Sequence, residues 1–273
     1  MTILDVAAKI NLALLVGRPR DDGLHEVATV LQRIEICDRL ELTPAPALVV
    51  EGYGGDTLVR AALVRLAEAV GVEPRWHARL VKRIPVGAGL AGGSADAAGA
   101  LLLANASLGA PLGRDRLHEL AAAIGSDVPF FLEPGPKLAE GAGETLTPLE
   151  LPQDFAVLLV VPEGARKAST GDVYRRFDEG DGRGFEERRR VLVEALASCR
   201  RPRDFAAFPP NDLAQAAGPQ PLLETLRAAG AFRADVSGAG PALYALFDDR
   251  AAAAAAAGLV EREAGAWVVA PVW

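Results

Sequence analysis

The residues best suited to chemistry begin with a glycine-rich segment, residues 85–95, which reads P-V-G-A-G-L-A-G-G-S-A. Gly87, Gly89 and Gly92 satisfy G-x-G-x-x-G, the fingerprint of dinucleotide-binding sites. That site requires a buried, almost continuously apolar strand before the first glycine, whereas the strand expected here is amphipathic and Pro85 interrupts its approach. A P-loop also fits poorly, because Gly93 stands where that motif has its phosphate-binding lysine. Neither familiar motif explains this glycine loop.

Close approach of backbone amides to an anion is the physical property that the glycine loop retains. The helix expected after it, running to about residue 108, adds amide donors and the positive end of a dipole. A phosphate chain is therefore the expected ligand. Ser94, at the helix start, could cap the helix or place its hydroxyl on a phosphate or its metal ion. A tight strand-to-helix connection is the structural alternative, but it does not need so many glycines.

Two charged residues stand where phosphoryl transfer could use them. Lys9 lies in an apolar segment, residues 6–16, which predicts a strand, and Asn11 falls on the same face two residues later. A buried lysine is costly unless it is paired, and Asp127 is a candidate partner. Asp127 follows a helix expected over residues 117–124. The alternatives are a lysine that reaches solvent along a strand edge and an aspartate that shapes a turn.

The elements that must position these residues are predicted from their periodicity. Alternation and β-branched content predict a strand or hairpin over residues 29–42 and a strand over residues 76–81. Helical spacing predicts a helix over residues 56–70. The proline-bearing segment 147–152 is the expected boundary between an N-terminal domain, residues 1–152, and a C-terminal domain, residues 153–273.

The second domain is predicted to be a layer of strands and helices. The expected order is a strand at 155–161, a charged loop at 178–190 leading into a helix, a helix at 222–229, a strand, the loop at 238–240, a strand at 242–247, a helix from 251 and a strand at 267–269. This order resembles a split β-α-β, ferredoxin-like arrangement. Gly238 and Gly240 suit a hairpin turn with positive φ. The fold class is therefore α/β, as a two-layer α+β arrangement in two domains.

Composition limits the class of protein. The 273 residues carry 29 basic and 36 acidic side chains, and the formal charge of −7 disfavours a nucleic-acid-binding surface. Half of the residues are apolar, which favours a globular protein over a disordered one. Cys37 and Cys199 are too far apart for a redox or metal motif, which predicts a cytoplasmic setting. We expect neither a signal peptide nor a membrane span.

Five segments, taken together and in order, resemble one enzyme superfamily. They are A-K-I-N-L at residues 8–12, D-G-L-H at 22–25, P-V-G-A-G-L-A-G-G-S-A-D-A-A at 85–98, I-G-S-D-V-P-F-F at 124–131, and N-D-L at 211–213 with V-S-G-A-G-P at 236–241. The chain resembles the galactokinase, homoserine kinase, mevalonate kinase and phosphomevalonate kinase superfamily. Within it, the resemblance is closest to the 4-diphosphocytidyl-2-C-methyl-D-erythritol kinases of the non-mevalonate isoprenoid pathway. Leu24, Ala95 and Ala239 depart from the residues that are common in these kinases.

The resemblance implies a two-domain small-molecule kinase fold, with a ribosomal-S5-like N-terminal domain and a ferredoxin-like C-terminal domain. It implies that ATP and Mg²⁺ are the cofactors and that the 2-hydroxyl of 4-diphosphocytidyl-2-C-methyl-D-erythritol is phosphorylated. One alternative is another alcohol kinase of the superfamily, which Leu24 suggests because relatives have tyrosine there. The other is a nucleotide-binding protein of this fold that lacks catalysis. A monomer and a homodimer are both compatible with the sequence.

Roles for individual residues also follow from the resemblance. Asp127 is the general base, and Lys9 holds that carboxylate and the acceptor oxygen in place. Asn11, His25 and Tyr174 bind the substrate, with His25 at the cytosine edge and Tyr174 stacked on the ring.

The remaining implied contacts concern the nucleotide. Gly238 and Gly240 belong to a loop near the phosphates, and Ser94 is a candidate ligand of the metal ion. The expected ATP-binding residues are Pro85, Val86, Gly87, Ala88, Gly89, Leu90, Ala91, Gly92, Gly93, Ser94 and Ala95.

Overall fold

The computed structural model describes residues 2–54, 58–165, 169–179, 183–218 and 220–273. Asp56 and Thr57, at the predicted start of the first helix, and residues 180–182 of the predicted charged loop lie outside that part of the chain. The strands are β1 Thr2–Pro19, β2 His25–Pro44, β3 Val49–Glu51, β4 Trp76–Val81, β5 Lys137–Gly141, β6 Thr145–Pro148, β7 Ala156–Pro162, β8 Arg233–Val236, β9 Leu243–Phe247, β10 Ala264–Val269 and β11 Pro271–Val272. The helices are α1 Leu58–Val70, α2 Gly92–Ser107, α3 Arg114–Ala122, α4 Thr170–Asp178, α5 Phe185–Ser198, α6 Pro221–Ala228 and α7 Arg250–Val260, and short 3₁₀ helices span Pro129–Leu132 and Pro202–Ala207.

The segments of two compact units alternate along the sequence. The first unit comprises Met1–Ala8, Ile36–Val86 and Ala91–Pro134. The second comprises Lys9–Glu35, Gly87–Leu90 and Gly135–Trp273. Strands β1 and β2 and the glycine loop each contribute residues to both units. The sequence predicts that residue 152 separates two independently folding domains. That boundary stays a prediction.

The first unit contains the helix that follows the glycine loop. There the second half of β2 pairs with β4 in antiparallel fashion, and β3 runs parallel to β4. Helix α2 is apolar on all sides, as expected of a buried helix. Gly99 permits its close approach to the start of β1, because a Cβ at this position would lie 2.6 Å from Cγ1 of Val6. This packing fixes the position of the first turn of α2 within the unit.

The second unit contains a four-stranded antiparallel sheet in the order β10-β7-β9-β8. Helices α4, α5 and α6 connect β7 to β8, and α7 connects β9 to β10. This strand order and connectivity confirm the predicted ferredoxin-like arrangement. Elsewhere in the unit, the first half of β2 pairs with β5, and β5 pairs with β6 across the turn that contains Gly141 and Gly143.

Most predicted elements are confirmed, with shifted ends. Residues 29–42 belong to one long strand, β2, and not to a hairpin, because its two halves pair with different neighbours. The helix predicted from residue 117 begins at Arg114. Helix α4 begins with a capping box, in which Oγ of Ser169 accepts a hydrogen bond of 3.0 Å from the amide of Asp172.

Candidate active site

A buried lysine and asparagine lie side by side on β1. Lys9 and Asn11 are each 4% exposed, and Nζ of Lys9 donates to Oδ1 of Asn11 at 2.7 Å. Nδ2 of Asn11 donates in turn to Oγ1 of Thr29 at 2.8 Å, and that hydroxyl donates to the carbonyl of Ala13 at 2.7 Å. The prediction that Lys9 and Asn11 share a face is confirmed. The chain of bonds fixes the amide of Asn11 so that its oxygen faces the ammonium group.

The middle of the glycine loop reaches the same lysine. Nζ of Lys9 lies 3.3 Å from the carbonyl oxygen of Gly89, and the amide of Lys9 donates to the carbonyl of Leu90 at 3.1 Å. Gly89 has φ +85°, and a Cβ there would overlap the carbonyl oxygen of Ser237. A side chain at position 89 is therefore excluded by both backbone conformation and space.

The turn between β8 and β9, called here the 237–240 loop, lies against this part of the glycine loop. Oγ of Ser237 donates to the carbonyl of Gly89 at 3.2 Å. Gly238 has φ +57°, and a Cβ there would lie 3.5 Å from Nζ of Lys9. The turn has the positive φ values predicted for a hairpin. Within the second unit, the structure thus brings Lys9, Asn11, Gly89 and Gly238 together.

The other end of the glycine loop leads into α2 in the first unit. The N-cap residue is Ala91, which has a left-handed conformation with φ +54° and no polar side chain. Ser94 is the third residue of the helix and not its N-cap, so the predicted capping role of Ser94 is wrong. A left-handed residue followed by helical ones directs successive amides toward one side, an arrangement that binds anions. The start of α2 is therefore suited to a phosphate group.

A buried ion cluster holds the residues that lead into the glycine loop. Nζ of Lys82 donates to Oδ2 of Asp96, in the first turn of α2, at 2.6 Å and also to Oδ2 of Asp38. Oδ1 of Asp38 accepts from the amides of Arg83 and Ile84 at 2.5 and 2.9 Å. Burial lowers the pKa of Lys82, but the hydrogen bonds and charges of Asp38 and Asp96 outweigh it and raise that pKa. Lys82 therefore remains an ammonium that ties β2, the start of the loop and α2 together.

Asp127 lies in a turn after α3, in the first unit. The amide of Val128 donates to the carbonyl of Gly125 at 3.0 Å, which closes this turn, and the 3₁₀ helix begins at Pro129. Val128 is fully buried, whereas Asp127 is partly exposed. The predicted position in a turn after a helix is confirmed. Its role as a base and its pairing with Lys9 stay predictions.

His25 and Tyr174, both predicted to bind substrate, meet in the second unit. Their ring centroids are 4.7 Å apart, and the rings are tilted by 41°. Nε2 of His25 lies 2.7 Å from Oδ1 of Asp178, so the carboxylate accepts and Nε2 carries the hydrogen. Leu24, the residue before His25, is 53% exposed. The structure thus brings His25 and Tyr174 into ring contact, with the His25 side chain only 9% exposed.

Sequence reasoning missed the cluster of Lys82, Asp38 and Asp96. Its sequence signal was limited to an aspartate inside the apolar start of α2 and another inside β2. Such acids are costly to bury unless a cation or amides compensate them. Among the described residues, no group of three or more His, Cys, Asp or Glu side chains could hold a metal ion. Within the same residues, the structure contains no helix with the length and apolarity needed to cross a membrane.

Comparison with known proteins agrees with these features. Residues 57–135 match the GHMP kinases N terminal domain, and residues 219–264 match GHMP kinases C terminal. The 4-diphosphocytidyl-2-C-methyl-D-erythritol kinase of Nocardia farcinica is 41% identical, over 92% of this chain and 86% of the relative. That of Anaeromyxobacter sp. is 37% identical, over 94% of this chain and 85% of the relative.

Solved structures show the same relationship. The crystal structure of a 4-(cytidine 5'-diphospho)-2C-methyl-D-erythritol kinase superposes with a TM-score of 0.81 and 32% identity, and each chain is covered completely. A mevalonate kinase superposes with a TM-score of 0.77 at 13% identity, which shows the fold alone. The predicted two-domain small-molecule kinase fold is confirmed. The chain belongs to the 4-diphosphocytidyl-2-C-methyl-D-erythritol kinase family of ATP-dependent kinases.

Proposed function

We propose that this protein transfers the γ-phosphoryl group of ATP to the 2-hydroxyl of 4-diphosphocytidyl-2-C-methyl-D-erythritol. The observation that carries the proposal is the cluster in which buried Lys9 and Asn11 meet the partly exposed Gly89 and Gly238. It joins three segments that are far apart in sequence and that each resemble a kinase motif. The names of the relatives in the same family support the choice of acceptor.

The reaction forms a bond between the acceptor oxygen and the γ-phosphorus and breaks the bond from that phosphorus to ADP. The acceptor hydroxyl must lose its proton, and we assign Asp127 as the base that accepts it. Lys9 supplies a positive charge for the acceptor oxygen and the transferred group. Because Asn11 and Gly89 already bind Nζ, the ammonium needs little reorganisation when charge develops.

The backbone at the start of α2 fits the phosphates of ATP. Ala91 is left-handed and Gly92 begins the helix, so the first amides have no acceptor within the helix. The hydroxyl of Ser94 is the proposed protein ligand of Mg²⁺. That ion would supply positive charge that neutralises the phosphates of ATP. The other residues from 85 to 95 shape the loop around the nucleotide.

The cytidine group is the part of the substrate that His25 and Tyr174 would recognise. In the tautomer in which Nε2 of His25 donates to Asp178, Nδ1 is a hydrogen-bond acceptor. That atom suits the amino group of cytosine. Tyr174 supplies one stacking surface, and stacking on an aromatic ring is worth ~1–3 kcal/mol per base.

We also propose a cytoplasmic location, because Cys37 and Cys199 are too far apart in sequence for a redox or metal motif.

The test is a steady-state assay of ADP release with three acceptors, 4-diphosphocytidyl-2-C-methyl-D-erythritol, homoserine and mevalonate. Turnover is expected with the first and not with the others. Asp127→Asn should bind ATP normally and lose roughly 10²–10⁴-fold in kcat, the usual contribution of a general base. Turnover with only another acceptor would refute the substrate assignment. A wild-type kcat for Asp127→Asn would refute the assignment of the base.

A further inference from the structure

The N-D-L segment at residues 211–213 is not among the residues assigned to catalysis. Its first residue is almost fully buried. Asn211 is 3% exposed. Its Nδ2 donates to the carbonyl of Val236 at 2.9 Å and to the carbonyl of Gly238 at 2.7 Å. Its Oδ1 accepts from the amide of Leu213 at 2.9 Å. Both donors and the oxygen of this amide are therefore used, and its orientation is fixed.

The next residue connects the same segment to β1. The amide of Asp212 donates to the carbonyl of Leu14 at 2.8 Å. Oδ2 of Asp212 accepts from the amide of Val16 and from Nη2 of Arg188, each at 2.9 Å. Adjacent residues thus bind the strand that carries Lys9 and Asn11 and the loop that carries Gly238.

The backbone of Asn211 is itself held in place. Its amide donates to Oδ2 of Asp235 at 2.9 Å, and the same carboxylate oxygen lies 3.3 Å from Nη2 of Arg233. Arg233 is 8% exposed and also binds the carbonyls of Phe205, Phe208 and Pro209. Asn211 is therefore held through its backbone as well as through its side chain, so the bonds from its side chain give the loop a fixed position.

We propose that Asn211 is a positioning residue for phosphoryl transfer, because it sets the distance between Lys9 and the 237–240 loop. The carbonyl of Gly238 is bound by Asn211, and the Cα of Gly238 faces Nζ of Lys9 closely enough that a Cβ would lie 3.5 Å from it. The catalytic part of this inference rests on the proposed function. The structural part does not.

Asn211→Asp is the sharpest perturbation. It keeps the shape of the side chain and the oxygen that binds Leu213, but it replaces two donors with an acceptor facing two carbonyl oxygens. The resulting repulsion should displace the loop. Asn211→Ser keeps one hydroxyl donor and should cause a smaller effect, so the pair of variants remains informative if the aspartate variant folds poorly.

Asn105→Asp is the matched control. Asn105 is 5% exposed, its Nδ2 donates to the carbonyl of Leu112 at 3.0 Å, and its Oδ1 accepts from the amide of Leu112 at 3.1 Å. It lies near the C-terminal end of α2, in the other unit, away from the glycine loop. This variant should lose stability in a comparable way without changing the site.

Two measurements test the inference. Hydrogen–deuterium exchange of peptides that cover residues 236–243 should be faster in both Asn211 variants and unchanged in Asn105→Asp. The kcat should fall about 100-fold in Asn211→Asp, as expected of a misplacement of ~1 Å, with a smaller change in KM for ATP. The kcat of Asn105→Asp should stay within about twofold of the wild type.

Unchanged loop exchange, or a kcat loss no larger than that of the control at the same loss of Tm, would overturn the role of Asn211. Failure of the proposed function has a different signature, because the wild type would then not phosphorylate 4-diphosphocytidyl-2-C-methyl-D-erythritol. The exchange comparison would still decide the structural role. The kcat comparison would then be made with the acceptor that the wild type uses.

Discussion

Replacement of Lys82 by methionine should destabilise the protein strongly, because it leaves two buried carboxylates without their shared cation. The side chain of Asp38 is fully buried and that of Asp96 is 1% exposed, whereas that of Lys82 is 14% exposed. Methionine fills a similar volume, so the loss is chiefly electrostatic.

The magnitude follows from the behaviour of buried ion pairs. Removal of one partner from such a pair costs roughly 3–5 kcal/mol, since the remaining charge is buried and uncompensated. The Asp38 carboxylate keeps the amides of Arg83 and Ile84, which reduces its share of this cost. We therefore expect a loss of about 3 kcal/mol in the free energy of unfolding, a large part of the ~5–15 kcal/mol of a typical domain.

Urea denaturation at pH 7.5, followed by far-ultraviolet circular dichroism, measures this loss. The triple variant Lys82→Met, Asp38→Asn, Asp96→Asn is the control. The asparagine at position 38 can still accept hydrogen bonds from the two backbone amides, and no buried charge remains in this cluster. It should recover at least half of the lost stability. A single variant within about 1 kcal/mol of the wild type, or a triple variant no better than the single one, would refute the electrostatic account.

Three further substitutions test individual backbone and charge arguments. Gly89→Ala should lose at least ~2 kcal/mol more stability in thermal unfolding than Gly109→Ala. Both glycines have positive φ, but a Cβ at position 89 would lie 2.4 Å from the carbonyl oxygen of Ser237, whereas a Cβ at position 109 would meet no described atom within 4 Å. Equal losses would therefore contradict the clash. Ala91→Gly should raise the free energy of unfolding by up to ~1 kcal/mol, because left-handed backbone is costly for alanine; a decrease in urea denaturation would count against it. Burial raises the pKa of Asp212 despite its bonds to a backbone amide and to Arg188. The folded protein therefore binds this proton more tightly than the unfolded chain, and the stability this contributes is lost as pH rises through the folded pKa. The difference in unfolding free energy between Asp212→Asn and the wild type should therefore shift in favour of the variant between pH 4 and pH 7, as measured by urea denaturation. A pH-independent difference would contradict this.

The sequence predicted those parts of the site that depend on local pattern. Gly238 and Gly240 indicated a turn that needs positive φ, and both adopt it. The alternation in β1 placed Lys9 and Asn11 on one face. In each case the information lies within a few residues, because backbone conformation and side-chain alternation are local properties.

The parts that were missed depend on partners that are distant in sequence. Lys82 binds Asp38, which lies 44 residues earlier, and Asn211 binds the carbonyl of Gly238, which lies 27 residues later. Neither bond has a periodic signal. The single-strand character of β2 likewise depends on β4 and β5, which pair with its two halves. The sequence pattern alone was therefore compatible with either a strand or a hairpin over residues 29–42.

Under the proposed function, these non-local bonds would explain how a chain with a formal charge of −7 binds an anionic nucleotide. Net charge acts at long range and is screened within about 10 Å at 0.1 M salt. Amides and one buried ammonium act at contact distance, and they are effective only if they are already oriented. In the first unit Lys82 and Asp38 fix the residues before the glycine loop, and in the second unit Asn211 fixes the 237–240 loop beside Lys9. The buried polar bonds therefore supply the orientation that the overall charge cannot.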